Sequence, residues 1–151
     1  MKQENFSLIN KTKGKLPSLP FVQIKDDILG KNYSLSIAYV TESVSRNLNK
    51  TYRGKDRSTN VLSFNLSKHE GELVLCPAVI KREAKNFDRT FEKFLGFLVI
   101  HGMLHLKGMD HSVTMEKREL KYDKKYFSGN RFGLGNNASH SRRIYRRRKN
   151  S

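Results

Sequence analysis

Polar and apolar residues alternate at period two over Tyr33-Ser34-Leu35-Ser36-Ile37-Ala38-Tyr39-Val40, the signature of a half-buried strand. Three further runs read as strands: Phe6-Ser7-Leu8-Ile9-Asn10, Asn60-Val61-Leu62-Ser63-Phe64 and Glu72-Leu73-Val74-Leu75-Cys76. The stretch Lys68-His69-Glu70-Gly71 between the last two is short enough for a hairpin. Elsewhere the period lengthens. Ser18-Leu19-Pro20 opens a helix through about Leu29, with Gly30 as its stop. Thr41-Glu42 reads as a second helix start, and Val44, Leu48 and Tyr52 recur every four residues as far as Gly54. Pro77 suits the first turn of a third helix with Ile80, Ala84 and Phe87 on one face.

Residues 89–106 are too apolar for a single stripe, with Phe91, Phe94, Leu95, Phe97, Leu98, Val99 and Ile100, and predict a central helix. Gly108 interrupts it. A fifth helix is expected over Val113–Phe127 with Leu120 and Phe127 inward. The first five residues are expected to fray, and residues 128–151, rich in Gly, Asn, Ser and Arg, read as a flexible basic tail. Four strands and five helices, the helices clustered late, predict one α+β domain over residues 1–127: a small mixed sheet packed with helices.

Charge narrows the partners. The 151 residues carry 30 Lys plus Arg against 14 Asp plus Glu, a net +16 that attracts polyanions. Residues 112–151 hold twelve of the cations and three of the acids, and Arg142, Arg143, Arg146, Arg147, Arg148 and Lys149 form a run without any acid. The lone Cys76 cannot make an internal disulfide, which fits a reducing compartment. No apolar run approaches the ~18 residues of a membrane span, and Met1-Lys2-Gln3-Glu4-Asn5 lacks the apolar stretch of a secretory signal. A soluble cytoplasmic protein is expected, a description that many basic ribosomal proteins also meet.

The histidines are more specific. His101 and His105 lie four apart on the central helix, so their imidazoles share a face. Gly108 can take positive φ and turn the chain, and His111 then closes a three-histidine site. Zinc held by three protein ligands keeps a fourth position for water, the catalytic arrangement. His69 and His140 stand alone on polar segments and read as surface residues, whereas Asp110 is a candidate to orient a ligand histidine. The spacing His-x3-His-x2-Gly-x2-His resembles that of metzincin proteases, but Gly102 stands where those enzymes carry the glutamate base, which argues against peptide hydrolysis.

Residues 101–111 also resemble the hallmark His-Gly-x-Leu-His-Leu-x-Gly-x-Asp-His of the YbeY family and match it at every fixed position. A second stretch, Tyr52-Arg53-Gly54-Lys55-Asp56-Arg57-Ser58-Thr59-Asn60-Val61-Leu62-Ser63-Phe64, resembles another family motif, as do Gly71-Glu72-Leu73-Val74-Leu75-Cys76 and Met115-Glu116-Lys117-Arg118-Glu119. Asn65 departs from the family's usual proline.

The resemblance implies a single-strand-specific metallo-endoribonuclease acting in late maturation of the 16S ribosomal RNA 3′ end and in ribosome quality control. One zinc ion per chain would be bound by His101, His105 and His111, with Arg53 and His101 in the chemistry. Its implied partners are single-stranded ribosomal RNA, the small ribosomal subunit and its proteins, with a ribosome-assembly GTPase as a candidate. Whether a zinc-activated water or the ribose 2′-hydroxyl attacks is left open by the residues. Lys55, Arg57, Lys107 and the arginines Arg142, Arg143, Arg146, Arg147 and Arg148 are candidate phosphate contacts. Thr59 and Asn60 are expected to order the loop rather than touch substrate. The alternatives are a metzincin-like protease and a non-catalytic ribosome assembly factor stabilised by zinc.

Overall fold

The structure, a computed structural model, describes residues 2–3 and 5–127. The basic tail and His140 lie outside the described residues. Within them the fold is α+β. The four expected strands are present as β2 (Phe6–Asn10), β3 (Ser34–Tyr39), β4 (Val61–Ser67) and β5 (Glu70–Leu75). A two-residue strand, β1 (Lys2–Gln3), precedes them. Its antiparallel pairing with Phe6 and Ser7 corrects the expectation that this end is frayed at Lys2 and Gln3. The helices are α1 (Phe21–Ile28), α2 (Glu42–Arg53), α3 (Pro77–Ala84), α4 (Phe91–Leu106) and α5 (Val113–Phe127), with a single 3-10 turn at Lys85–Phe87.

The described sheet runs β1-β2-β3-β5-β4. Strands β2, β3 and β5 are parallel neighbours, whereas β4 returns antiparallel along β5 through the hairpin and forms the sheet's edge. Leu66 is skipped in the β4–β5 register, a bulge next to Asn65. Strand alternation sorts the two faces. Leu35, Ile37, Val61, Leu73 and Leu75 enter the main core, where α4 lies. Ala38, Val40, Leu62 and Val74 form a smaller cluster on the opposite face, against which Leu48 of α2 and Phe64 pack.

Helix α4 is central for the reason its composition suggests: every residue from Phe94 to Leu104 is buried. Thr90 caps its start, accepting from Lys93 N–H at 3.2 Å. On α5 the buried stripe differs from expectation. Leu120 is only half-buried, whereas Phe127 packs on the core as expected, and Met115, Glu119, Tyr122 and Asp123 are the buried residues. Two buried carboxylates are tolerated because α4 and the turn before it supply partners: Glu119 meets His101, and Asp123 receives the guanidinium of Arg89. Phe127 lies over Gly96, where any Cβ would strike its ring.

Helix α2 is not seated by the apolar stripe that marks it in the sequence. Ser45 and Asn49 are the buried residues. The Ser45 hydroxyl donates to the Thr59 carbonyl and accepts from Thr59 N–H, both at 2.9 Å, and Asn49 Nδ2 donates to the Arg57 carbonyl at 2.8 Å. Asn60 is buried and donates to Glu83 at 2.7 Å, so Thr59 and Asn60 do order this loop. At the helix's start Arg82 donates from both terminal guanidinium nitrogens to Glu42, which with Ser58 holds the Glu42 carboxyl below its ordinary range. At its end Gly54 takes φ of 69°, a left-handed cap that stops the helix at Arg53.

Candidate metal centre

The end of α4 shapes the site through its backbone. Gly108 has φ of 102°, Gly108 N–H donates to the His105 carbonyl at 2.9 Å, and Met109 N–H reaches back to the Leu104 carbonyl at 3.0 Å. That paired pattern is a Schellman cap, and it needs a residue free to adopt positive φ. The same turn brings the Met109 carbonyl within 3.0 Å of His105 Nδ1. A carbonyl can only accept, so Nδ1 carries the proton and Nε2 presents a lone pair. Ser112 accepts from Met115 N–H at 3.1 Å and caps α5, which places His111 between one helix's end and the next one's start.

The three histidines therefore converge. Their candidate ligand atoms all lie within 4.8 Å of one another, and burial runs from enclosed His101 through half-buried His105 to exposed His111. His101 Nδ1 meets Glu119 Oε2 at 2.6 Å inside the core. With Nδ1 donating to that carboxylate, His101 Nε2 also presents a lone pair, and it stands 3.0 Å from His105 Nε2. Two lone pairs so close repel unless a proton or a cation lies between them. This donor set, three imidazoles with the two inner ones oriented through their other nitrogens, fits a metal ion. The ring of Phe97 stacks beside His101, centroids 6.4 Å apart, and Arg89 covers Phe97 on its way to Asp123. Helix α5 is thus pinned at Glu119 and again at Asp123.

The histidines open into a cleft of about 950 Å³ that crosses the edge strand β4. Its wall includes Arg53 from the end of α2, Ser63 and Asn65 from β4, and Asp110. The other candidates are placed differently. Lys107 donates to the Ile28 carbonyl at 2.9 Å, which ties the end of α4 to α1. Lys55 and Arg57 lie on the loop after α2, outside the wall of this cleft. Exposed His69 sits in the β4–β5 turn, where its carbonyl receives Ser34 N–H at 2.9 Å. Asp110 is exposed, and the orientation of His101 and His105 comes from Glu119 and the Met109 carbonyl instead. Glu119 was missed as a site residue. The available signals were its place in the Met115–Glu119 motif and its spacing, four residues after Met115 and three before Tyr122, which puts a carboxylate on the buried stripe of α5.

Gly102 has a tertiary reason as well as a chemical consequence. A Cβ there would come 2.7 Å from a methyl of Leu73 and 3.3 Å from the Ser63 hydroxyl. The position faces β5 and β4, so any side chain there would have to push that of Leu73 aside. Gly102→Ala is expected to cost about 1–3 kcal/mol of stability by overpacking. Gly102→Glu should cost more, because a carboxylate would also be buried. Urea unfolding of both variants checks this, and a Gly102→Glu protein as stable as wild type would show that the helix can move aside.

A family model described as Endoribonuclease YbeY matches residues 11–128. Proteins of that description from Staphylococcus aureus strains JH9 and Newman are each 33% identical over 110 residues, covering 64% of this chain and 71% of theirs. A Thermotoga maritima protein solved in solution superposes with a TM-score of 0.57 at 31% identity, covering 80% of this chain and 87% of its own.

Proposed function

The chain belongs to the YbeY family of endoribonucleases, and from that premise we propose that it is a zinc-dependent endoribonuclease cutting single-stranded ribosomal RNA. The observation that carries the reading is the inward-oriented histidine set, His101, His105 and His111, opening into a cleft that also holds Arg53. Three imidazoles without a thiolate suit zinc, with one face left for substrate. Bound there, zinc supplies a Lewis acid that draws charge from a phosphoryl oxygen and acidifies a nearby hydroxyl.

The chain's own residues do the rest. Glu119 fixes the tautomer and ring plane of His101, the Met109 carbonyl does the same for His105, and burial behind Phe97 keeps water from His101's inner side. Arg53 offers a planar fork of donors to the extra negative charge that a phosphodiester acquires during cleavage. Gly102 leaves no carboxylate base beside the first histidine, which disfavours the protease alternative.

The same reading places the protein in the cytoplasm, acting on the 3′ end of 16S ribosomal RNA within the small subunit. Among the described residues no helix is long and apolar enough to cross a membrane. The purified protein is expected to cut an RNA fragment spanning that end, to stop when a chelator strips its metal, and to recover with zinc. Cleavage that persists at full rate without metal would overturn the reading.

The domain is proposed to end near residue 127, with the arginines beyond it adding affinity rather than catalysis. Deleting residues 141–151 removes six cations. RNA binding should weaken and its dependence on salt should become shallower, with zinc content unchanged. An unaltered salt slope would make the tail a bystander.

A further inference from the structure

Helix α2 carries an apolar stripe of which the core takes only Leu48. Val44 is 41% exposed and Tyr52 65%, while Ser45 and Asn49 anchor the helix. The stripe ends at the metal-centre cleft, where Tyr52 meets Phe64 of edge strand β4 edge-to-face, ring centroids 5.1 Å apart at 71°. Leu66, 58% exposed at the bulge, continues the same wall. An aromatic ring left so open adds little to folding, yet it rests against Phe64, which itself packs on the small cluster.

We propose that Tyr52 and Phe64 form a stacking platform for an unpaired nucleobase of the RNA, so that the site selects single strands by their accessible base faces. The proposal rests on the endoribonuclease reading. Three observations favour a nucleobase over an apolar protein partner. The platform shares one cleft with the histidines, so a base resting on it is continuous with a phosphate at the centre. Arg53, the next residue on α2, adds a cation to the same wall. The chain's net charge of +16 complements a polyanion. Aromatic faces accept any base, whereas bases in a duplex are already stacked and unavailable.

The test uses the full-length protein and a single-stranded oligoribonucleotide carrying 2-aminopurine at successive positions, read before detectable cleavage. Wild type and Tyr52→Phe should quench the probe at one or two positions. Tyr52→Ala should lose that quench and bind roughly fivefold to hundredfold more weakly, with its salt slope unchanged. KM should rise while kcat stays near wild type, and weak binding to duplex RNA should not change. Tyr52→Leu separates stacking from plain apolar contact: if it binds as wild type does, the face is an apolar wall or a protein-docking surface, and the proposal is overturned. Tyr52→Ala binding at wild-type strength overturns it too. If wild type itself neither binds nor cuts single-stranded RNA, the endoribonuclease reading fails and takes the platform with it.

Discussion

His105→Ala is expected to lose bound zinc and to cut RNA more than about a hundredfold more slowly while remaining folded. Loss of even an outer partner to a metal ligand commonly costs ten- to a hundredfold, so removing a ligand should exceed that. The position suits the experiment because His105 is half-buried at the cleft and its Nδ1 partner is a backbone carbonyl that water can serve once the ring is gone. His101→Ala should abolish cleavage as well, but it also takes from the buried Glu119 carboxylate its 2.6 Å partner. About 1–3 kcal/mol of stability should go with it. Glu119→Gln should fall between wild type and His105→Ala in zinc affinity, since an amide can still meet Nδ1 without the charge. Metal content per chain, thermal unfolding and RNA cleavage measured on the same preparations separate these outcomes. Loss of zinc with cleavage intact would remove the metal from the chemistry.

Arg53→Ala is expected to slow cleavage by roughly 10²- to 10³-fold, the usual cost of removing one donor from a site of developing negative charge. Its zinc content and stability should match wild type. Arg53 is exposed at the end of α2, and exposed substitutions typically shift stability by no more than about 0.5 kcal/mol. Arg53→Lys keeps the charge but not the planar fork, so partial recovery is expected. A single-turnover measurement at saturating RNA checks that the loss lies in the chemical step. Equal rates for wild type and Arg53→Ala would return Arg53 to the status of a solvated surface cation. Zinc loss in Arg53→Ala would instead make it part of the site's assembly.

Much of the scaffold around these residues was legible locally. Thr41, Gly54, Pro77 and Gly108 punctuate the helices where their side chains or φ preferences predict, because caps depend on a few neighbouring atoms. The apolar surplus over residues 89–106 announced a buried helix for the same kind of reason. Other features were invisible because they depend on what lies opposite. The apolar period of α2 looks like a core-facing stripe, yet two polar side chains bond to the loop at residues 57–59 and occupy the seat. On α5 the charged residues Glu119 and Asp123 take buried positions where Leu120 was expected, since their partners wait on α4 and at Arg89.

By itself the sequence determined the α+β class, the helix that carries two of the histidines, the glycine that turns the third towards them and the basic character of the surface. Helical spacing and the φ freedom of glycine act over a few residues, so a linear string can contain them. The tertiary structure alone decided that Glu119 rather than Asp110 orients His101, that Leu73 and Ser63 crowd the position of Gly102, and that β4 is the edge over which the cleft opens. Each of these is a contact between segments separated by many residues. Such contacts are set when strands and helices dock, and local propensity carries no record of them.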